Sequence, residues 1–140
     1  MFLPDINFWL ALTFEVHFHH VAARQWYEAH LVESFFFCRF TQQGFLRLVS
    51  NPKAFGEQAV SLKDGWVLYE SILSDPRVAF VDEPQQIEVY WRTYSDRPTL
   101  SPKLSSDAYL AAFVRAGALQ LVTFDQAFSQ FEDANCIILT

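Results

Sequence analysis

The chain has 140 residues, 51% of them hydrophobic and 17% aromatic, including 15 phenylalanines and 4 tryptophans. That composition excludes intrinsic disorder and suits one folded domain, residues 1–140, with a sizeable core. Its 10 basic and 16 acidic residues give a formal net charge of −6, which argues against binding nucleic acid by bulk phosphate neutralisation, although cations held in a carboxylate pocket would still face phosphates.

In chain order, Met1–Leu3 reads as a strand fragment, and Asn7–Leu12 (NFWLAL) as a turn of helix. His17–Leu31 has the mixed apolar spacing of an amphipathic helix, and Ser34–Phe40 (SFFFCRF) is a continuous buried-strand run. Thr41 is read as the cap of a helix through QQGFLRLVSN that stops at Asn51-Pro52. A loop over Lys53–Val60 leads to Ser61, which caps a helix with Asp64 three residues on. Val78–Val81 is a further strand, Pro84 opens a helix carrying Ile87, Val89, Tyr90 and Trp91, and Asp96–Lys103 is irregular.

The most informative stretch follows. Ser105 or Ser106 is expected to cap a helix with Asp107 in its first turn, and Gly117 to take the left-handed position after its last turn. Leu119–Thr123 (LQLVT) is a strand ending on Phe124-Asp125. A short helix over Ala127–Phe131 and a last strand, Cys136–Leu139, complete the chain.

Strands separated by helices predict an α/β fold: a central parallel β-sheet flanked by helices on both faces. The residues just past the strand ends then share one edge, where open parallel sheets keep their ligand sites. Those residues are Asp5 and Asn7, Thr41 and Gln42, Asp82, and Asp125, with Asp107 brought to the same edge by its helix. Each aspartate also has an ordinary structural reading, as a helix cap or first-turn residue favoured by the helix dipole. Three together suit a hard divalent cation, Mg²⁺ or Mn²⁺, which prefers oxygen ligands and assists in-line attack on a phosphodiester.

No apolar run approaches the ~18 residues of a membrane helix, and no leader is recognised before the first strand. Cys38 and Cys136 sit in apolar runs and are expected to be buried free thiols. Together these predict a cytoplasmic protein without membrane contact.

The segments LPDINFWLAL, RFTQQGFLRLVSN, SSDAYLAAFVRAG and LVTFDQAF, in this order and spacing, resemble the VapC-type toxins of the PIN-domain ribonuclease family. The most specific parts are D-A-x-L-A-A (Asp107 to Ala112) and the strand ending T-F-D-x-x-F (Thr123 to Phe128). The resemblance implies a PIN-like α/β/α sandwich, Mg²⁺- or Mn²⁺-dependent endonucleolytic cleavage of RNA, a VapB-type antitoxin partner and a homodimer. Asp5, Asp107 and Asp125 match the family's acidic residues, as catalytic groups and metal ligands. Asn7 and Thr123 match its supporting polar residues.

Two departures accompany the match. The glutamate common in the helix after the second strand falls on Gly44, leaving Gln42 or Gln43 to supply a neutral oxygen. A further acidic residue after the T-F-D aspartate is absent, since Gln126, Ala127 and Phe128 follow. Arg47 is a candidate contact to an RNA phosphate or to the antitoxin, with a surface salt bridge as its alternative, and Lys103 is a candidate RNA-backbone contact. A PIN-fold binding module without activity is the second reading. A phosphatase with a strand-end aspartate nucleophile ranks behind both, because it needs a second aspartate where Asn7 stands.

Overall fold

A computed structural model describes residues 1–140. Five parallel strands, β1 (Phe2–Pro4), β2 (Phe35–Phe37), β3 (Val78–Phe80), β4 (Gln120–Thr123) and β5 (Cys136–Ile138), form one sheet in the order β3-β2-β1-β4-β5. In register, Leu3 pairs with Leu121, Phe35 with Val78, and Thr123 with Ile138.

Side chains alternate across a strand, so each strand feeds both faces of the sheet. Phe2, Phe35, Phe37 and Val122 point to one core, covered by helices α1 (Ile6–Thr13), α2 (His20–Ala29), α3 (Arg39–Val49) and α5 (Leu62–Leu73). Leu3 and Leu121 point to the other, covered by α6 (Ile87–Ser95), α7 (Pro102–Gly117) and the 3-10 turn Gln126–Gln130. The short α4 (Pro52–Phe55) lies between α3 and α5. In the first core Trp9 stacks on Phe37 with ring centroids 4.2 Å apart; burying an aromatic side chain of this size contributes about 2–3 kcal/mol. Cys38 and Cys136 are free thiols, the first buried and the second half-buried.

The element order follows expectation, but several boundaries move. The chief correction is α7. Its N-cap is Ser101, whose hydroxyl accepts the Leu104 N–H, with Pro102 in the first turn, so Ser105, Ser106 and Asp107 lie inside the helix. A serine cap followed by proline is a strong start signal, because proline's fixed φ suits the first helical position and its missing N–H is not needed there. At the other end Ala118, not Gly117, adopts the left-handed conformation (φ 52°).

Two more helix starts shift. α3 begins two residues before Thr41: Cys38 is the N-cap, and Thr41 reaches back to accept the Cys38 N–H at 3.0 Å. α6 begins at Ile87 after a left-handed Gln86, not at Pro84. The expected loop over Lys53–Val60 contains α4 and a 3-10 turn at Gly56–Gln58, started by Asn51 capping the Lys53 N–H ahead of Pro52. The cap at Ser61 stands as read, its hydroxyl accepting the Asp64 N–H.

Candidate active site

From the central β1, the chain order places β2 and β3 to one side and β4 and β5 to the other. Crossovers therefore diverge between β1 and β4, and the carboxyl ends of that strand pair open a crevice where parallel sheets bind ligands. Asp5 follows β1 and Asp125 follows β4.

Asp5 is the N-cap of α1: its extended backbone lets Oδ1 accept the Phe8 N–H at 2.8 Å. Its Oδ2 accepts the Thr123 hydroxyl at 2.5 Å, and Thr123 Oγ1 in turn accepts the Asp125 N–H at 2.9 Å. One buried hydroxyl thus links the two strand-end aspartates. Asp5 is only 5% exposed. Burial pushes its carboxyl up to about 6, against the lowering effect of the Thr123 and Phe8 donors, and the charges of Asp125 and Asp107 add to the rise. Asp5 is thus at once a helix cap and a perturbed group in the crevice.

The other two aspartates share a cation. The Lys103 ammonium donates to Asp107 Oδ2 at 2.6 Å and to Asp125 Oδ2 at 2.7 Å. The early start of α7 creates this pair, because it puts Lys103 and Asp107 one helical turn apart on the same face. Asp125 also caps its own 3-10 turn, accepting the Ala127 N–H at 2.9 Å. Burial raises the Asp107 carboxyl, and Lys103 only partly offsets it. Burial would raise Asp125 too, but Lys103 and the Ala127 N–H hold it below the ordinary range.

Asp5, Asp107, Asp125, Asn7, Arg47 and Lys103 line one crevice of about 330 Å³, together with Phe40, Ser106, Leu110 and Phe128. Thr123 lies beneath it, fully buried. Gln42 and Gln43 are not among the lining residues: Gln42 is buried and accepts from Arg39, and Gln43 faces a neighbouring pocket. Neither therefore stands in for the missing glutamate. At Gly44 a Cβ would lie 2.1 Å from Cδ1 of Ile6, so a larger residue there needs the Ile6 side chain to move.

Lys103 as a bridge between the carboxylates, rather than an outlying basic residue, was not foreseen; the Ser101-Pro102 start was the available signal. Ser106, preceding Asp107, was read as a possible cap and instead faces the crevice.

The donor set fits a hard divalent cation: all-oxygen carboxylates, two of which already hold one positive charge between them. No three acidic, imidazole or thiol groups close into a cage in this arrangement, in which the ammonium of Lys103 takes the position between Asp107 and Asp125.

A parallel five-stranded sheet covered on both faces, with an acidic crevice at its carboxyl edge, defines an α/β/α class of protein. A family model described as PIN domain matches residues 2–134, and the chain belongs to the PIN-domain family. Within that family it is 40% identical to Ribonuclease VapC41 of Mycobacterium tuberculosis (strain H37Rv) over 136 residues, covering 94% of this chain and 93% of the relative. It is 29% identical to Ribonuclease VapC38 of the same strain, over 89% and 85% of the two chains. Two solved structures share the fold. VapBC2 from Rickettsia felis, bound to a DNA fragment from its promoter, aligns with a TM-score of 0.73 at 10% identity, covering 99% of this chain and 98% of that one. The Sarcin-Ricin loop cleaving toxin VapC20 of Mycobacterium tuberculosis aligns at 0.68 and 16% identity, covering 95% and 98%.

Proposed function

We propose that this chain is a Mg²⁺- or Mn²⁺-dependent endoribonuclease, the toxin of a type II toxin–antitoxin pair. The observation that carries the reading is the convergence of Asp107 and Asp125 on one cation position, 2.6 and 2.7 Å from the Lys103 ammonium, beside the perturbed carboxyl of Asp5. The ribonuclease names of its 40%-identical and 29%-identical relatives support it.

Asp5, Asp107 and Asp125 would hold the divalent ion, which when bound supplies charge for a phosphodiester and polarises an attacking water. The chain's own groups do the rest. Burial raises the Asp5 carboxyl in the cation-free chain, and a bound cation would hold it ionised. Thr123 fixes that carboxylate from below. Asn7 offers an amide to orient water, and Arg47 offers a charge to a phosphate from the crevice wall. Once withdrawn from the carboxylates, Lys103 provides a second phosphate contact. Water's oxygen bonds to phosphorus as the bond to one ribose oxygen breaks. One water proton is lost to solvent and the ribose oxygen leaves as a hydroxyl after taking a proton from solvent, so RNA is cut internally.

A VapB-type antitoxin and a second copy of the chain are the proposed protein partners, acting on one 140-residue unit in the cytoplasm. Exposed apolar side chains support partners: Phe18 is 92% and Val32 94% exposed near α2, and Leu62 and Trp66 stand one turn apart on α5. No helix is long and apolar enough to cross a membrane. Gly44 in place of an acid favours the second reading, a PIN-fold binding module without catalysis.

Expression of the chain in a bacterium, with new RNA 5′ ends read by sequencing, tests the proposal. Discrete ends that vanish with Asp125→Asn support the nuclease. Identical RNA in both strains supports the binding module.

A further inference from the structure

Next to the acidic crevice lies a larger pocket of about 540 Å³, and the two share Phe40 and Ser106 as a common wall. That volume is within the usual range for small-ligand sites. Its remaining lining is unlike the crevice. Tyr109 and Trp91 meet edge to face with centroids 5.2 Å apart, and the Trp91 indole N–H is held by the Ser105 carbonyl at 3.1 Å. Across from them, the Arg39 guanidinium lies 4.7 Å over the Phe80 ring, tied to Gln42 Oε1. Asp82 and Glu83, just past β3, add two carboxylates, and Glu83 Oε1 accepts the Tyr109 hydroxyl at 2.6 Å.

We propose that this pocket receives one unpaired guanine of the RNA, next to the phosphodiester that is cut; this deepens the nuclease reading and rests on it. Aromatic and guanidinium faces stack on any base, and single-stranded RNA is read by such stacking together with hydrogen bonds to base edges. The two carboxylates repel a phosphate but accept N–H groups. Guanine alone among the four bases presents two adjacent N–H donors on one edge, with O6 and N7 as acceptors for an arginine. Carboxylates and Arg39 in one aromatic pocket match that pattern. The shared Phe40–Ser106 wall would then set which phosphate faces Asp5, Asp107 and Asp125.

Two measurements test the pocket. In the first, GMP, AMP, CMP and UMP are titrated into the protein while the Trp91 indole N–H resonance is followed by NMR, in wild type, Arg39→Met and Glu83→Gln. GMP is expected to move it at concentrations where the others do not, with affinity about tenfold weaker in either variant, the worth of one good base contact. In the second, RNA fragment ends from the purified enzyme are sequenced. Guanine is expected to be enriched at a single position beside the cut, and the enrichment to fall about tenfold in Glu83→Gln. An unmoved Trp91 signal, an equal response to all four nucleotides, or an enrichment indifferent to Glu83→Gln overturns the proposal. If wild type yields no fragments, the nuclease reading fails and the NMR titration alone decides the pocket.

Discussion

Thr123 donates its hydroxyl to Asp5 Oδ2 at 2.5 Å from the neighbouring strand, and both residues are buried. The contact joins the ends of β1 and β4 and fixes a carboxylate that has few other partners. Thr123→Val keeps the shape, removes the donor and leaves the Asp125 N–H without its acceptor; a buried polar group without a partner costs about 1–3 kcal/mol. Chemical denaturation of the cation-free protein at pH 7 should show a loss of that size. Thr123→Ser, which restores the hydroxyl, should recover most of it.

The carboxyl of Asp5 predicts a pH dependence of opposite sign to that of a salt-bridged acid. Its folded value is about 6 against an unfolded 3.8. Between the two values the folded state holds more protons than the unfolded state. The stability linked to Asp5 is therefore fully present below pH 4 and is lost as pH rises to 6. The loss amounts to about 3 kcal/mol as an upper figure. Urea melts from pH 4 to 7 without divalent cations should show this downward slope in wild type and a shallower one in Asp5→Asn, where the raised Asp107 carboxyl still contributes. Saturating Mn²⁺ at pH 7 should restore stability to the wild type only.

Lys103 lies between Asp107 and Asp125, the position assigned to the cation in the proposed reaction. Its side chain is 60% exposed, so its two ion pairs are individually modest, at about 0.2–1 kcal/mol each. Lys103→Met removes the competitor, and Mn²⁺ affinity measured by calorimetry or EPR should rise about three- to tenfold. RNA affinity should fall in the same variant if the displaced ammonium contacts phosphate. Unchanged Mn²⁺ affinity would mean that the ion does not bind between these carboxylates.

Gly44 and Ile6 form a steric pair, so an acid at position 44 requires the Ile6 side chain to move. Gly44→Glu would press Cβ against Ile6 Cδ1, 2.1 Å away, and overpacking of this kind costs about 1–3 kcal/mol. Ile6→Ala with Gly44→Glu should fold with less loss than Gly44→Glu alone. The double variant should also bind Mn²⁺ more tightly than wild type. Thermal melts and Mn²⁺ titration of the three variants check both statements.

The parallel sheet and its acidic edge were legible because buried strands leave continuous apolar runs (SFFFCRF, LQLVT) and because a strand end is where the chain turns polar. Position at strand ends together with the family resemblance singles out Asp5, Asn7, Asp107 and Asp125, which share one crevice, whereas position alone also offers Thr41, Gln42 and Asp82, which do not line it. Helix starts were less legible. Ser101, Ser105 and Ser106 are all plausible caps, and only the proline after Ser101 separates them. Only a helix that starts after Ser101 gives Lys103 and Asp107 their one-turn spacing. The contact from Lys103 to Asp125 spans 22 residues, and that between Gly44 and Ile6 depends on how closely α1 and α3 approach. Neither leaves a local signal. Gln42 was misjudged for the same reason: the helix turn that places it inward also hands its oxygen to Arg39.

The most direct measurement is cleavage of total cellular RNA by the purified chain, free of any antitoxin, with Mg²⁺, Mn²⁺ or EDTA, and with Asp107→Asn in parallel. Discrete fragments that require the cation and disappear in the variant are the predicted result. Folded protein that cuts nothing in either cation, or that cuts equally well in EDTA or as Asp107→Asn, would contradict the assignment of the aspartate crevice as a cation-dependent ribonuclease site.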